Sequence, residues 1–350
     1  LRRGRMSDQD WVAEFHTAFD AWDKRYIITS NDIDGFLSAA AIAQYCRNKG
    51  HNTSLIGVYT GRHVVLFDGH SKVDARDAIW LDHDISHEGV ICMGQHLVRL
   101  HPDDQIQRRH RPTFNPNLWM PGLACFKQGG GTYCFKGFNK PGIDKYPFAT
   151  IHYIMAALGI PEPDRGTLAY SLIAHADSAW ACGYKYGPNC QIWFDEMFDG
   201  TGEIVREITL KTYCGPQNLA THRELVEKLR ELKIKADSSE NKKSDLLPDD
   251  WDGINGNQSL VFNIRWHNGS SDKREKWMGL FRNLWEFIIS ELGWRIETPQ
   301  RITDVISGTY NRVYPDRIPS LDELLDREKV FSHAITGSGA MKYTTDLDLT

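Results

Sequence analysis

The stretch YIITSNDIDGFLSAAAIAQY, residues 26–45, places polar side chains between two elements of regular structure. Its first residues, Tyr26 to Thr29, form an apolar run typical of a buried strand, and its second half is rich in Ala and Leu and predicts a helix. Asn31, Asp32 and Asp34 lie between the two. Because α/β proteins usually bind ligands where strands end and helices begin, these side chains are candidates for a functional site.

Further apolar runs end in acidic or imidazole side chains, as strands that lead into a functional loop do. They are Val64 to Gly69, Ala78 to Asp84 and Gly89 to His96. Alternating strands and helices predict an α/β fold, with a mostly parallel sheet flanked by helices and a second, smaller α+β domain. Ligands of such sheets gather at the carboxyl edge, so Asp32, Asp34, Asp82 and His96 are expected to converge there.

The segment DIDGFLSA, Asp32 to Ala39, matches every specified position of the pattern DxDGxxSA following a strand. That pattern is the first motif of the DHH phosphoesterase superfamily, which the chain resembles over roughly residues 20–190. The superfamily includes RecJ-type exonucleases, nanoRNases, cyclic-dinucleotide phosphodiesterases and a class of inorganic pyrophosphatases. The resemblance therefore implies a metal-dependent phosphoesterase, of the RecJ-like or nanoRNase-like kind.

The second and third motifs of the superfamily are matched less completely. The second is one aspartate at a strand end, which Asp82 fits, with Asp68 as a competing candidate. The third is Asp-His-His, but here Gly94 and Gln95 replace the aspartate and the first histidine, and only His96 is retained. This departure weakens the second metal position, so either one or two ions are expected.

The fourth motif is an aspartate from a later helical region, and Asp177 in IAHADSAW fits it. In LDHDISH, His83 and His87 either supply the nitrogen ligand that the third motif lacks or lie in a surface turn. Asp and Asn before a helix are also ordinary N-caps, so capping is the alternative role for the residues that precede the helix of the first motif.

Carboxylates combined with one or two imidazoles suit hard or borderline cations, so Mn²⁺ or Mg²⁺ is the expected cofactor. Two such ions can steady both the attacking and the leaving oxygen of an in-line phosphoryl displacement. The residues predicted to bind metal and to support catalysis are the same five: Asp32, Asp34, Asp82, His96 and Asp177.

Contacts to substrate are expected from the first motif and from the end of the chain. Asn31 is one candidate. The superfamily has a C-terminal accessory domain with a GGGH element that grips substrate, and SHAITGSGAM, without matching that element, could present His333, Gly337 and Gly339 to a phosphate. The expected substrate is a phosphodiester in single-stranded nucleic acid or in a short or cyclic oligonucleotide. A catalytically degenerate nucleotide sensor and a pyrophosphatase-type phosphohydrolase are the alternatives.

Length and composition limit the remaining possibilities. A chain of 350 residues favours more than one domain, here a phosphoesterase domain at 8–190, a connector at 191–250 and a substrate-binding domain at 251–350. With 41 basic and 46 acidic residues, the net charge of −5 argues against a broadly basic nucleic-acid-coating protein but leaves a local basic groove open. Seven cysteines without a CxxC pair and no membrane-spanning apolar run predict a cytoplasmic protein, with homo-oligomerisation open.

Overall fold

The structure is a computed structural model, and it describes residues 8–100, 104, 113–119, 127–128, 132–133, 145–213, 215–232, 271–314, 317–318, 320–335 and 340–349. Contacts group the chain into two compact units that alternate along it. We call them the sheet unit (Leu1–Ser30, Leu55–Tyr146 and Thr303–Thr350) and the helical unit (Asn31–Ser54 and Pro147–Ile302). The predicted segments 8–190, 191–250 and 251–350 divide the chain differently. Because residues 233–270, around the predicted boundary at 250, lie outside the described ranges, that division stays a prediction.

The regular elements are numbered here in chain order. The strands are β1 Tyr26–Thr29, β2 Ser54–Tyr59, β3 His63–Phe67, β4 Ala78–Leu81, β5 Ile91–Met93, β6 Thr113–Phe114, β7 Lys127–Gln128, β8 Thr132–Tyr133, β9 Ile302–Ser307, β10 Thr309–Val313, β11 Ser332–Ile335 and β12 Met341–Thr345. The α-helices are α1 Asp8–Ala21, α2 Ile33–Asn48, α3 Pro116–Trp119, α4 Thr150–Leu158, α5 Leu168–His175, α6 Cys182–Met197, α7 Glu203–Leu210, α8 Pro216–Glu231, α9 Ser271–Glu291 and α10 Leu321–Arg327. Two 3₁₀ helices are Ala75–Asp77 and Ala176–Ala181.

Seven strands form one mixed sheet in the order β6-β5-β4-β1-β2-β3-β9. The pairs β1–β4, β4–β5 and β5–β6 are parallel, whereas β2 and β3 are antiparallel. All four residues of β4 and the last three of β1 are buried, as expected for parallel strands that are covered on both faces. The predicted α/β class, with a mostly parallel sheet flanked by helices, is confirmed.

A second, smaller sheet is antiparallel and has the order β10-β12-β11. It belongs to the same compact unit as the large sheet. Phe331, just before β11, packs its ring against Trp80 of β4 and Tyr59 of β2, with centroid distances of 5.2 and 5.9 Å. The last part of the chain therefore shares a hydrophobic core with strands from its first quarter.

The helical unit is organised around α2, which contacts α4, α5 and α9. Small alanine side chains allow close approach, and every residue from Ile33 to Ala43 is buried. On α9, Trp277, Phe281 and Trp285 stack at four-residue intervals. Phe281 and Trp285 meet Phe36 of α2 edge to face, which fixes the two helices against each other.

Two sequence expectations concern membrane-spanning segments and the state of the cysteines. Among the described residues, no helix is long and apolar enough to cross a membrane. Four of the cysteines in these ranges are buried thiols: Cys46, Cys92, Cys182 and Cys190. Burial raises the pKa of the Cys92 thiol to about 12, so this thiol stays protonated at neutral pH.

Candidate active site

The first motif begins with a helix cap. Asp32 has an extended backbone, and its Oδ1 accepts a hydrogen bond of 3.0 Å from the Gly35 N–H, so it is the N-cap of α2. The capping role that the sequence left open is therefore present. A cap uses one carboxylate oxygen, so it does not conflict with a second role for the same side chain. Asn31, predicted to contact substrate, is half-buried in the turn just before the cap.

Asp34 is the buried carboxylate of the motif, with 1% of its surface exposed. Its two oxygens accept hydrogen bonds from the Thr150 and Ile151 N–H groups, at 2.8 and 2.9 Å, and Ser38 Oγ donates a longer bond of 3.4 Å. The two N–H groups are the first of α4, where a negative charge is favoured by the helix dipole. Asp34 therefore joins the start of α4 to the first turn of α2.

The pKa of Asp34 is raised to about 7, even though two N–H bonds lower it. Burial is the largest cause, followed by the charge of Asp32, and the charge of Asp177 adds to both. The charges of Asp32 and Asp177, two other predicted ligands of the helical unit, therefore act on Asp34. A carboxylic acid that titrates near neutrality among other carboxylates marks a candidate functional site.

Asp177 lies in the 3₁₀ helix Ala176–Ala181 and has a left-handed backbone, with φ of 48°. This conformation is uncommon for a residue other than glycine, and strain of this kind often occurs at functional sites. The charge of Asp177 also acts on His152, whose pKa burial lowers to about 4. His152 accepts the Ala149 N–H at Nδ1 and donates from Nε2 to the Ile173 carbonyl, so it is fixed as a neutral ring.

In the sheet unit, Asp82 directly follows β4. It is buried, has a left-handed φ of 56°, and its N–H donates to the Met93 carbonyl at the end of β5. Its Oδ2 accepts a 2.7 Å hydrogen bond from Ser30 Oγ, just after β1. The ends of three parallel strands therefore meet around this carboxylate. The competing candidate, Asp68, is exposed in the turn after β3.

His96, the retained histidine of the third motif, is held by a residue that the sequence motif did not identify. Asp84 is buried and accepts hydrogen bonds from the His96 N–H and Nδ1, each 3.1 Å long, and from Asn115 Nδ2. With Nδ1 donating to a carboxylate, a neutral His96 ring carries its lone pair on Nε2. The His96 side chain is 35% exposed, so it is open to solvent.

The departure at Gly94 has a steric reason. A Cβ atom at position 94 would lie 2.4 Å from Asp84 Oδ1 and 2.6 Å from the His83 carbonyl oxygen, distances that real Cβ contacts do not show. The Asp84 carboxylate therefore occupies the space that any side chain at position 94 would need. The only signal for this in the sequence was the proximity of Asp84 to the second motif.

The two alternative histidines have other partners. His83 Nε2 donates to the Tyr59 carbonyl at 2.9 Å, and the His83 ring lies edge-on against the Tyr59 ring. Burial, then the nearby His96, lowers the pKa of His83 to about 4. His87 is exposed, with Nδ1 next to the Glu88 carbonyl, as the surface-turn interpretation predicts.

The predicted substrate contacts near the C-terminus are placed only in part. His333 is buried, donates from Nε2 to the Val98 carbonyl at 2.9 Å and accepts from Ser86 Oγ at Nδ1. Both ring nitrogens are therefore used within the sheet unit. Gly337 and Gly339 lie outside the described residues.

The predicted residues fall into two groups, one in each compact unit. Asp32, Asp34 and Asp177 are in the helical unit, and Asp82 and His96 are in the sheet unit. Within the ranges that the structure describes, no group of three or more His, Cys, Asp or Glu side chains is arranged to hold a metal ion.

The helical unit also contains an open groove of about 640 Å³. Its lining includes Tyr45 of α2, Lys49 at the C-cap of α2, Met155 of α4, and Glu162 and Trp294 from loops. None of the predicted ligands lines this groove. The groove is therefore a feature separate from the carboxylate group.

Comparison with protein-family models, with curated proteins and with solved structures found no match for this chain.

Proposed function

We propose that this chain is a metal-dependent phosphohydrolase that cleaves phosphodiester bonds in single-stranded nucleic acid or in short or cyclic oligonucleotides. The observation that carries the proposal is the state of Asp34, the second acid of the DxDGxxSA pattern. It is buried, and its pKa is raised to about 7, chiefly by burial and further by the charges of Asp32 and Asp177. An ordinary helix cap does not require a buried carboxyl group whose pKa is raised by burial and by the charges of two other acids.

The donor chemistry of this group fits a hard divalent cation. Carboxylate oxygens are the ligands that Mn²⁺ and Mg²⁺ prefer. A cation would offset both the burial and the carboxylate repulsion that raise the pKa of Asp34. Asp32, Asp34 and Asp177 are the proposed ligands from the helical unit, and Asp82 and His96 remain ligands predicted from the sequence. A bound divalent cation supplies Lewis-acid catalysis, the chemistry that phosphodiester hydrolysis needs.

The residues of the chain itself would position these groups. The first N–H groups of α4 hold both oxygens of Asp34 in one orientation, and the Gly35 N–H holds Asp32. Asp84 fixes the ring of His96, so Nε2 is the nitrogen available to a ligand or a proton. Such fixed orientation lowers the reorganisation that a reaction requires.

The test is turnover of labelled single-stranded DNA and RNA, dinucleotides, cyclic dinucleotides and pyrophosphate with added Mn²⁺. We expect cleavage of at least one nucleotide substrate by the wild-type protein and none by Asp34→Ala. Because Asp34 also holds α4, Asp177→Asn provides a second variant with a smaller effect on folding. Asp164→Asn, which changes an exposed acid of the helical unit, is the matched control and should keep full activity.

Each outcome separates one function from the others. Release of orthophosphate from pyrophosphate, without cleavage of any nucleotide, would replace the proposal with a pyrophosphatase. Tight binding of a nucleotide without turnover would indicate a sensor. Equal activity of the wild-type protein, Asp34→Ala and Asp177→Asn would show that the carboxylate group is not the catalytic site.

A further inference from the structure

The exposed surface of β10 carries an unusual set of side chains. Tyr310 and Tyr314 are 44% and 45% exposed, and only one other large hydrophobic residue in the described part of the chain, Leu210, is comparably exposed. Alternate residues of a strand share a face, so Tyr310 and Arg312 point to the same side, and Tyr314 continues the alternation just past the strand. We call Tyr310, Arg312 and Tyr314 the aromatic stripe.

Positive charge is concentrated beside this stripe. Arg312 of β10 lies directly opposite Lys342 of β12 in the antiparallel register, and both side chains are exposed. Like charges at directly opposed positions destabilise a sheet, yet neither residue forms an ion pair with an acidic side chain of the described ranges. The Arg312 guanidinium lies 5.4 Å from the centre of the Tyr314 ring. An anionic ligand would offset the repulsion.

The opposite face of the same small sheet is packed. Val313 and Met341, which are paired across β10 and β12, belong to a hydrophobic cluster with Ile335 of β11. Tyr343 of β12 packs against the same cluster. On the face that carries the stripe, Thr344 opposite Tyr310 and Ser332 of β11 are also buried. The exposed part of that face is therefore a patch limited to the aromatic stripe and Lys342.

We propose that the exposed patch formed by the aromatic stripe and Lys342 binds single-stranded nucleic acid. Arg312 and Lys342 contact phosphates, and Tyr310 and Tyr314 stack on bases. The two tyrosines are four residues apart, about 13 Å along the strand, so each receives a separate base. Single strands expose the base faces that stacking requires, and charge complementarity favours a polyanion over an apolar partner.

This inference goes beyond the proposed hydrolysis, because binding here requires neither a metal ion nor turnover. The net charge of the chain is −5, so the protein as a whole repels a polyanion. Attraction of a nucleic acid therefore depends on the local positive charges of Arg312 and Lys342. Binding measured in excess EDTA therefore tests the surface alone. A negative result in this binding test would not contradict the proposed hydrolysis. A negative result in the turnover assay would likewise not contradict binding at this surface.

The first experiment measures fluorescence anisotropy of a labelled oligothymidylate on the order of 12 nucleotides long, at low salt and in EDTA. We expect saturable binding by the wild-type protein and a loss of about ten-fold or more in affinity for Tyr310→Ala/Tyr314→Ala. Tyr310→Phe/Tyr314→Phe retains the rings and should bind within about two-fold of wild type. No wild-type binding, or equal affinity of the alanine variant, would overturn the proposal.

The second experiment tests the charges through salt dependence. Arg312→Ala/Lys342→Ala should lower the slope of log affinity against log salt by roughly 1.4, the value for two lost phosphate contacts on a single strand. Arg206→Ala/Lys276→Ala removes two exposed charges from the helical unit and should leave the slope unchanged. An equal change in both variants would reveal an effect of net charge only and contradict the assignment.

Competition identifies the class of ligand. Unlabelled single-stranded DNA should displace the probe, whereas duplex DNA of the same sequence should compete at least ten-fold more weakly, because its base faces are stacked inside. Displacement by polyglutamate as efficient as by the oligonucleotide would assign the face to an acidic protein partner and refute nucleic-acid binding.

Discussion

Replacing Asp34 with Asn removes the charge of a buried carboxylate while keeping the size of the side chain. In the native protein this carboxyl group accepts hydrogen bonds from the N–H groups of Thr150 and Ile151, and the charges of Asp32 and Asp177 act on it. Its pKa is raised from 3.8 to about 7, chiefly by burial. We expect Asp34→Asn to make the metal-free protein more stable at alkaline pH and to abolish phosphodiester hydrolysis.

The size and sign of the effect follow from proton linkage. Between pH 3.8 and about 7 the folded protein retains a proton on Asp34 that the unfolded chain has released, so the free energy of unfolding falls as the pH rises. At 1.36 kcal/mol for each pH unit, the loss is roughly 4 kcal/mol and is complete above pH 7. An asparagine amide accepts one of the two N–H bonds well, and losing the other costs about 1–2 kcal/mol. The net stabilisation above pH 7 is therefore about 2–3 kcal/mol.

The assay is urea unfolding in EDTA, monitored by tryptophan fluorescence at about pH 5 and about pH 8. The free energy of unfolding of Asp34→Asn, relative to that of the wild type, should increase by roughly 2–3 kcal/mol between about pH 5 and about pH 8. Added Mn²⁺ should stabilise the wild type and have little effect on the variant, because a ligand stabilises only the state that binds it. Asp164→Asn, the exposed control, should follow the wild type throughout. A variant that is no more stable than wild type at alkaline pH would refute the reasoning.

Two further predictions concern other buried groups. Asp84→Ala leaves the donors of His96 and Asn115 without their acceptor, so it should lower the free energy of unfolding by about 3–5 kcal/mol. Urea unfolding measures this effect, and a loss below about 1 kcal/mol would contradict the role given to Asp84. The depressed pKa of His152 means that protonation favours the unfolded chain, so stability present above pH 6.5 should be lost as the pH falls toward 4. His152→Gln should reduce this acid sensitivity by up to about 3 kcal/mol, and an unchanged pH profile would count against it.

Local features of the fold were predictable because they depend on neighbouring residues. The apolar run Tyr26–Thr29 forms β1, and the alanine-rich segment after it forms α2. The N-cap role of Asp32 was an expected alternative, since a side chain before a helix meets the free N–H groups of its own first turn. Alternation of strands and helices also predicted the α/β class correctly.

Other features depend on residues far apart in the chain and could not be derived from local patterns. β9 joins the sheet of β1–β6, so the end of the chain contributes to a core that the sequence had assigned to the first 190 residues. The burial of His333 has the same origin, because its partners Ser86 and Val98 lie more than 230 residues away. Periodicity shows that a residue belongs to a strand, but not which strand pairs with it.

The candidate site shows the same division most clearly. The spacing of Asp32 and Asp34 identified both acids as candidate site residues. Their motif is local, because it spans only the end of one strand, one turn and the start of one helix. The pairing of Asp34 with Thr150 and Ile151, and of His96 with Asp84, depends on where separate segments pack. Burial and nearby charge set the pKa of a carboxyl group, and both are properties of the folded chain. Sequence therefore identified the chemical groups, and tertiary packing decided their protonation, their orientation and the need for glycine at position 94.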